Sequence, residues 1–277
     1  MEDMNEKREK SPVAIFMSVD LAGSTAFKAA TQGDGGGPAW LPAFEAFFRE
    51  VPLIMMGQIA RAFALEDEVP DCAVWKVIGD EIVFMARPRT PRETQLLVIA
   101  FYRMVINYDQ KIFERWPLRI KGCCWAAQIS GRNREIEIPE MLGTDKDGLY
   151  MDYLGPDVDT GFRVASCGGR GQVILSSNLV QLLAGIEETE EIEEIELHYS
   201  GSRVLKGVYS GRPYPLFLMT MPDCMPETWE WEAQDDDGLQ VLRKNSPMPR
   251  AEVLDFLERI RSYLNRMCHA GIEPLEF

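Results

Sequence analysis

Residues 12–20, PVAIFMSVD, form a run that is apolar almost throughout and closes on an acid. Such a run reads as a strand buried on both faces, with the Asp20 carboxylate at its tip. A strand of this kind needs a layer on each side of its sheet, and the chain supplies the material. Helical spacing puts Trp40, Phe44, Phe47, Phe48, Val51, Met55, Ile59 and Phe63 on one stripe of a helix over 40–64, which Pro52 is expected to kink or divide. AVWKVIGDEIVFMA, 73–86, predicts two strands turning at Gly79 and Asp80. A second long helix covers 91–115 and has ended by Pro117, and a strand follows over 118–130. The polar stretch 131–148 predicts an exposed arm or loop. A helix then starts at Pro156 or Asp157, followed by the strand QVILSS, the helix SNLVQLLAG and the strands EIELHYS and PYPLFLMT.

The chain has 277 residues, 46% of them hydrophobic, enough to fill a sizeable core in one large domain or two modest ones. Composition divides it into a charged N-terminal tail (1–11), a core domain (12–220), and an acidic, proline-containing linker leading to an amphipathic C-terminal helix (221–277). That helix, over 249–268, aligns Val253, Leu254, Leu257, Ile260, Leu264 and Met267, a face that packs either on its own domain or on a partner. Trp229 and Trp231 in the linker could anchor it or simply pack on the surface. Twenty-nine basic residues against 44 acidic ones give a net charge of -15, which disfavours nucleic acid as a partner. The same field would repel a small anion, unless metal ions and well-placed cations reverse it locally. Six cysteines without CxxC spacing read as reduced thiols rather than a zinc site. No run approaches the roughly 18 to 20 apolar residues of a membrane span, and no signal peptide opens the chain, so a cytoplasmic protein is expected.

Two charged motifs carry the chemistry. In WKVIGDE, Lys76 precedes Asp80 by four positions with Gly79 against the acid. Asp20 and Asp80 both lie at strand ends beside glycines, where two hard oxygen ligands suit Mg²⁺ or Mn²⁺, although either acid alone could serve a turn or cap. In DYLGPDVDTGFR, Asp159 and Arg163 share one helical face, as a surface ion pair or with the arginine aimed at a phosphate.

SVDLAGST, KVIGD, YLGPDVDTGFRVAS, and GQVILSS with RVLKGVYSGRPYPLFLM resemble, in order, the motifs of the class III nucleotide cyclases, the catalytic domains of adenylate and guanylate cyclases. The likeness covers about residues 12–220. It implies an α+β, ferredoxin-like fold with an antiparallel-rich sheet and flanking helices, working as a homodimer with active sites at the interface. It implies two divalent cations, Mn²⁺ or Mg²⁺, on Asp20, Asp80 and the Leu21 carbonyl, with Lys76 and Asp152 reading the base. Asp159 and Arg163 fall at the transition-state positions, and Lys206 where terminal phosphates are held. The metal acids would come from one protomer and the remaining groups from the other.

Two departures matter. Position 159 holds aspartate where the family usually has asparagine, and a carboxylate cannot donate to the ribose. The interval between Asp20 and Asp80 is also long, about sixty residues. That interval, the SVDLAGSTAFK wording and the aromatic helix look most like the pyrimidine nucleotide cyclases of the bacterial anti-phage system Pycsar, whose cyclic UMP or cyclic CMP activates a separate effector. The resemblance then implies conversion of UTP to 3′,5′-cyclic UMP and pyrophosphate. The Lys76 and Asp152 pair is also how adenine-specific members read their base, so adenylate and cytidylate cyclases stay open, as does an inactive nucleotide-binding module.

Overall fold

A computed structural model describes residues 12–30, 37–139, 149–187, 195–226, 236–244 and 246–277. The N-terminal tail, Trp229 and Trp231 lie outside them.

The PVAIFMSVD run becomes β1 (Val13–Ala22). It lies antiparallel to β3 (Glu81–Ala86) on one side and to β4 (Arg119–Gln128) on the other. β2 (Cys72–Ile78) extends the sheet beyond β3. β7 (Val173–Leu175) joins β4 in parallel, and β9 (Pro213–Thr220) and β8 (Glu196–Val204) complete the far side. The order is β2-β3-β1-β4-β7-β9-β8, seven strands in which a single neighbouring pair is parallel.

Side chains on β1 alternate between two cores. Val13, Ile15, Met17, Val19 and Leu21 face a large cluster built with α2 (Leu41–Ala62), α3 (Pro91–Arg115), α5 (Ser177–Ala184) and α7 (Arg250–Cys268). Ala14 and Phe16 face a smaller, aromatic one, where Trp75, Trp125 and Tyr153 meet Val158 and Val164 of α4 (Pro156–Ala165). Ser18 and Asp20 follow on that second side.

Two expectations need correcting. Pro52 does not divide α2, which runs unbroken from Leu41 to Ala62. Phe44, Phe47, Val51, Met55 and Ile59 are buried on both sides of the proline, and their burial outweighs the one missing backbone hydrogen bond. The polar arm contains β5 (Arg134–Pro139), paired antiparallel with β6 (Leu149–Leu154), and residues 140–148 between them lie outside the described set. Arg87 and Glu135 both bond the Tyr153 hydroxyl, which ties this ribbon to β3. Two short helices, α1 (Ser24–Ala30) and α6 (Asp237–Lys244), were not anticipated.

The C-terminal helix packs on its own chain. Val253 and Leu257 enter the large core, and the Arg250 guanidinium donates to the Leu183 and Ile186 carbonyls at 3.2 and 2.8 Å, satisfying the open end of α5. Among the described residues no helix is long and apolar enough to cross a membrane.

Candidate active site

The acids of the two strand tips gather at one end of the sheet. Ile78 pairs with Glu81, leaving Gly79 and Asp80 as a two-residue turn, and Gly79 supplies the positive φ (65°) that so tight a hairpin needs. Asp20 stands opposite Glu81 on one neighbour and opposite Lys121 on the other. The Leu21 N–H donates to the Asp80 carbonyl at 3.4 Å, drawing the hairpin onto the end of β1. Sequence-predicted Asp20, Leu21 and Asp80 are thus neighbours.

Lys121 Nζ lies 3.0 Å from Asp20 Oδ2. The Ser18 hydroxyl donates to Glu81. Burial holds the Glu81 carboxyl above its ordinary range, opposed by the Ser18 hydrogen bond, while the charges of Asp20 and Asp80 raise it further and Lys121 lowers it. Beside these groups is a cavity of about 180 Å³, closed from above by Phe162, Ala165 and Ser166 of α4.

Carboxylates and a backbone carbonyl are the hard oxygen donors that Mg²⁺ and Mn²⁺ take, so the donor set fits a divalent ion. Among the described residues no three acids, cysteines or histidines form a complete metal cage, so phosphate or water oxygens would have to finish the shell.

Lys76 and Asp152 meet as an ion pair of 2.5 Å, with side chains 22% and 15% exposed. Two features bring them together. The register of β2 on β3 slips between Val74 and Lys76, a bulge that turns Trp75 into the aromatic core and re-aims Lys76. The β5–β6 ribbon then lies against that bulge, the Trp75 indole N–H donating to the Met151 carbonyl at 3.2 Å. Lys76 Nζ also sits 4.3 Å from the Trp75 ring centre.

α4 carries Asp159 and Arg163 and is tightly fixed. Pro156 opens it, the Asn133 side chain accepts from the Asp157 N–H at 3.1 Å, and the Asn133 amide donates to the Asp157 carboxylate at 2.7 Å. Gly161 lies flat on Trp125, where a Cβ would come within 2.2 Å of the ring. Asp159 and Arg163 are exposed and, among the described residues, do not pair with each other. Arg163 and Lys206 instead line one cavity of about 820 Å³, together with Arg132, Tyr209 and the C-terminal residues 271–276. Lys206 stands in the turn after β8, also exposed.

The two sets of groups do not share a cavity. Phe162, Ala165 and Ser166 of α4 face the acids, whereas Asp159, Thr160 and Arg163 face the large cavity, so different faces of one helix separate them.

Sequence reasoning missed Lys121, Arg132 and Asn133. Lys121 had a readable signal, one of two charges, with Arg119, in the otherwise apolar strand LRIKGCCWAA. Arg132 had none. Its guanidinium donates to the Ala270 and Gly271 carbonyls at 2.7 and 3.0 Å, across a sequence separation no local pattern reveals. All six cysteines are free; Cys123 and Cys124 are buried in the core, and burial pushes Cys72 up to about 12 and Cys123 and Cys124 well above the ordinary thiol range.

No known family profile matches the chain, and no curated protein does. Solved structures do. The adenylyl cyclase CyaB from P. aeruginosa superposes with a TM-score of 0.51 at 13% identity, covering 80% of this chain and 97% of that one. An adenylate cyclase from Trypanosoma brucei, studied in its monomeric state, gives 0.49 at 17% identity over 79% and 92%. The guanylyl cyclase Cya2 gives 0.47 at 16% identity over 77% and 92%. The chain has the class III nucleotide cyclase fold, α+β with a mixed seven-stranded sheet and flanking helices.

Proposed function

We propose that this protein is a metal-dependent nucleotide cyclase that converts UTP to 3′,5′-cyclic UMP and pyrophosphate, with residues 12–220 as its catalytic domain. The observation that carries the reading is that one chain holds acids at one edge of the sheet and Arg163 with Lys206 in a separate cavity, with Lys76 and Asp152 already paired. Two copies related by a twofold axis would face the acids of one with the cations of the other, giving a homodimer with two sites.

Asp20, Asp80 and the Leu21 carbonyl would hold two divalent cations, Mn²⁺ or Mg²⁺, which supply Lewis acidity at the ribose 3′-hydroxyl and the α-phosphate. The 3′-oxygen bonds to the α-phosphorus, the bond to the β-phosphate oxygen breaks, pyrophosphate leaves, and the hydroxyl proton passes to water. Arg163 is placed to stabilise charge gathering on the α-phosphate oxygens, and Lys206 to hold the terminal phosphates. Asp159 accepts rather than donates, so it fits a ribose hydroxyl directly or through water. The cavity of Arg163 and Lys206 also carries Arg132 and Arg261 against Asp157, Asp159, Glu273 and Glu276, so the divalent ions would have to supply the excess positive charge that a triphosphate needs on a chain with net charge -15.

For the base, the Lys76 ammonium donates to a uracil carbonyl and the Asp152 carboxylate accepts from the neighbouring imide N–H. The same pair also suits the ring nitrogen and exocyclic amine of adenine, which makes ATP the alternative substrate and CTP the next. In the wider reading, cyclic UMP is a cytoplasmic messenger that activates a separate effector during phage infection.

Purified protein incubated with each nucleoside triphosphate and Mn²⁺ tests the proposal by product mass. Cyclic UMP from UTP is expected, and exclusive cyclic AMP would overturn the base assignment. Nucleotide binding without any turnover would indicate an inactive module. Asp20→Asn and Arg163→Ala proteins, each inactive alone, should recover about a quarter of wild-type activity when mixed, because half the dimers then hold one complete site.

A further inference from the structure

Lys121 is the cation that lines the cavity at the carboxylate edge, and the proposed reaction leaves it unused. It sits on β4, hydrogen-bonded between β1 and β7, so its backbone cannot move away from its cross-strand partner Asp20. The ammonium lies 3.0 Å from Asp20 Oδ2, with the two side chains 24% and 25% exposed, and its charge also acts on Glu81. Phe162 and Ala165 of α4 give the pair an apolar wall.

An ammonium and a divalent ion drawn to one carboxylate repel each other, so each weakens the other's hold on it. At about 4 Å the repulsion between them is roughly 2 kcal/mol even in bulk water, twice the value for two unit charges. A lysine has a long stem and three donors, however, and a triphosphate offers it other oxygens. We infer that Lys121 is a resident counter-ion of Asp20 that holds divalent metal off the carboxylate edge until nucleotide arrives, so that metal and nucleoside triphosphate load together. Before loading, the ammonium neutralises part of the charge of Asp20, Asp80 and Glu81. On loading, it swings from Asp20 to a phosphate oxygen and leaves the carboxylate to the metal. Metal and nucleotide then strengthen each other's binding by the same factor.

This inference rests on the reading of Asp20 as a metal ligand, and the experiment separates the two. Mn²⁺ is titrated into the full chain, with and without 3′-deoxy-UTP, an analogue that lacks the attacking hydroxyl, and free Mn²⁺ is read by electron paramagnetic resonance. Lys121→Met should bind Mn²⁺ without nucleotide about tenfold more tightly than wild type and lose most of the enhancement that the analogue brings. Lys121→Arg, which keeps the charge, should behave as wild type. If Lys121→Met unfolds by circular dichroism, Lys121→Gln replaces it. Asp20-dependent binding that is equal or weaker in the neutral variants would overturn the role of Lys121 and leave the metal site standing. Binding unaffected by Asp20→Asn, even with the analogue, would overturn both. A purely structural pair would lower the melting temperature without changing metal affinity.

Discussion

The two sides of the sheet are built to different ends. On one, four helices cover an aliphatic and aromatic core in which Phe47, Phe101, Val105 and Leu97 have no exposed surface. On the other, α4 and the β6 strand cover only part of the sheet, and the groups assigned to chemistry stand at the rim of that thinner cover: Asp20, Asp80, Lys76, Asp152, Arg163 and Lys206. The first side can be solved by any good packing. The second leaves charges partly exposed, and it anchors several of them on something rigid: Asp20 on a central strand, Lys76 at a bulge, and Arg163 on a helix seated on an indole.

Substitutions on the two sides should therefore fail differently. The largest effect belongs to the thick side: Phe101→Ala should cost about 3 to 5 kcal/mol of stability, read as a shifted denaturant midpoint, with activity per folded molecule retained. A loss of turnover without loss of stability there would break the comparison. On the thin side, Arg163→Ala should raise the barrier by about 2.7 to 4 kcal/mol in kcat while leaving the unfolding midpoint in place, since the side chain is exposed and unpaired among the described residues.

Gly161→Ala should do both. A Cβ there meets the Trp125 ring, so about 1 to 3 kcal/mol of stability should go along with activity as α4 is lifted. Thr90 caps α3 by accepting from the Glu93 N–H at 3.1 Å, and Thr90→Ala should cost about 1 kcal/mol with kinetics unchanged. The smallest effect concerns pH. Burial raises the Glu81 carboxyl, so its protonated form is favoured by the fold, and that contribution fades as pH rises through the folded value. Comparing wild type with Glu81→Gln from acid to neutral pH should show wild type losing relative stability as pH increases.

The thick side was the more legible in sequence. Its helices repeat apolar residues at helical spacing, and β1 announces itself as an apolar run, because burial writes a periodic pattern. Even Pro52 misled only locally, since propensity yields to a stripe packed along the whole helix. The candidate site could be named in sequence as residues but not as an arrangement. Asp20, Asp80, Lys76, Asp152, Arg163 and Lys206 were each named, yet the bulge that re-aims Lys76 and the ribbon that delivers Asp152 left no period to read. A strand in a polar, charged stretch looks like a loop when its partner is the only thing that orders it. Lys121 and Arg132 were passed over because their partners lie far away in sequence or across a strand register.

The contact between Gly161 and Trp125 has one more consequence, for motion. Gly161 brings the α4 backbone so close to the Trp125 ring that even a methyl group does not fit between them, which opposes rolling of the helix on the strand below it. The reach of Arg163 is set by the length of its own side chain. In the proposed homodimer, the approach of Arg163 to a ligand would then depend on how the two chains meet rather than on movement of the helix that carries it.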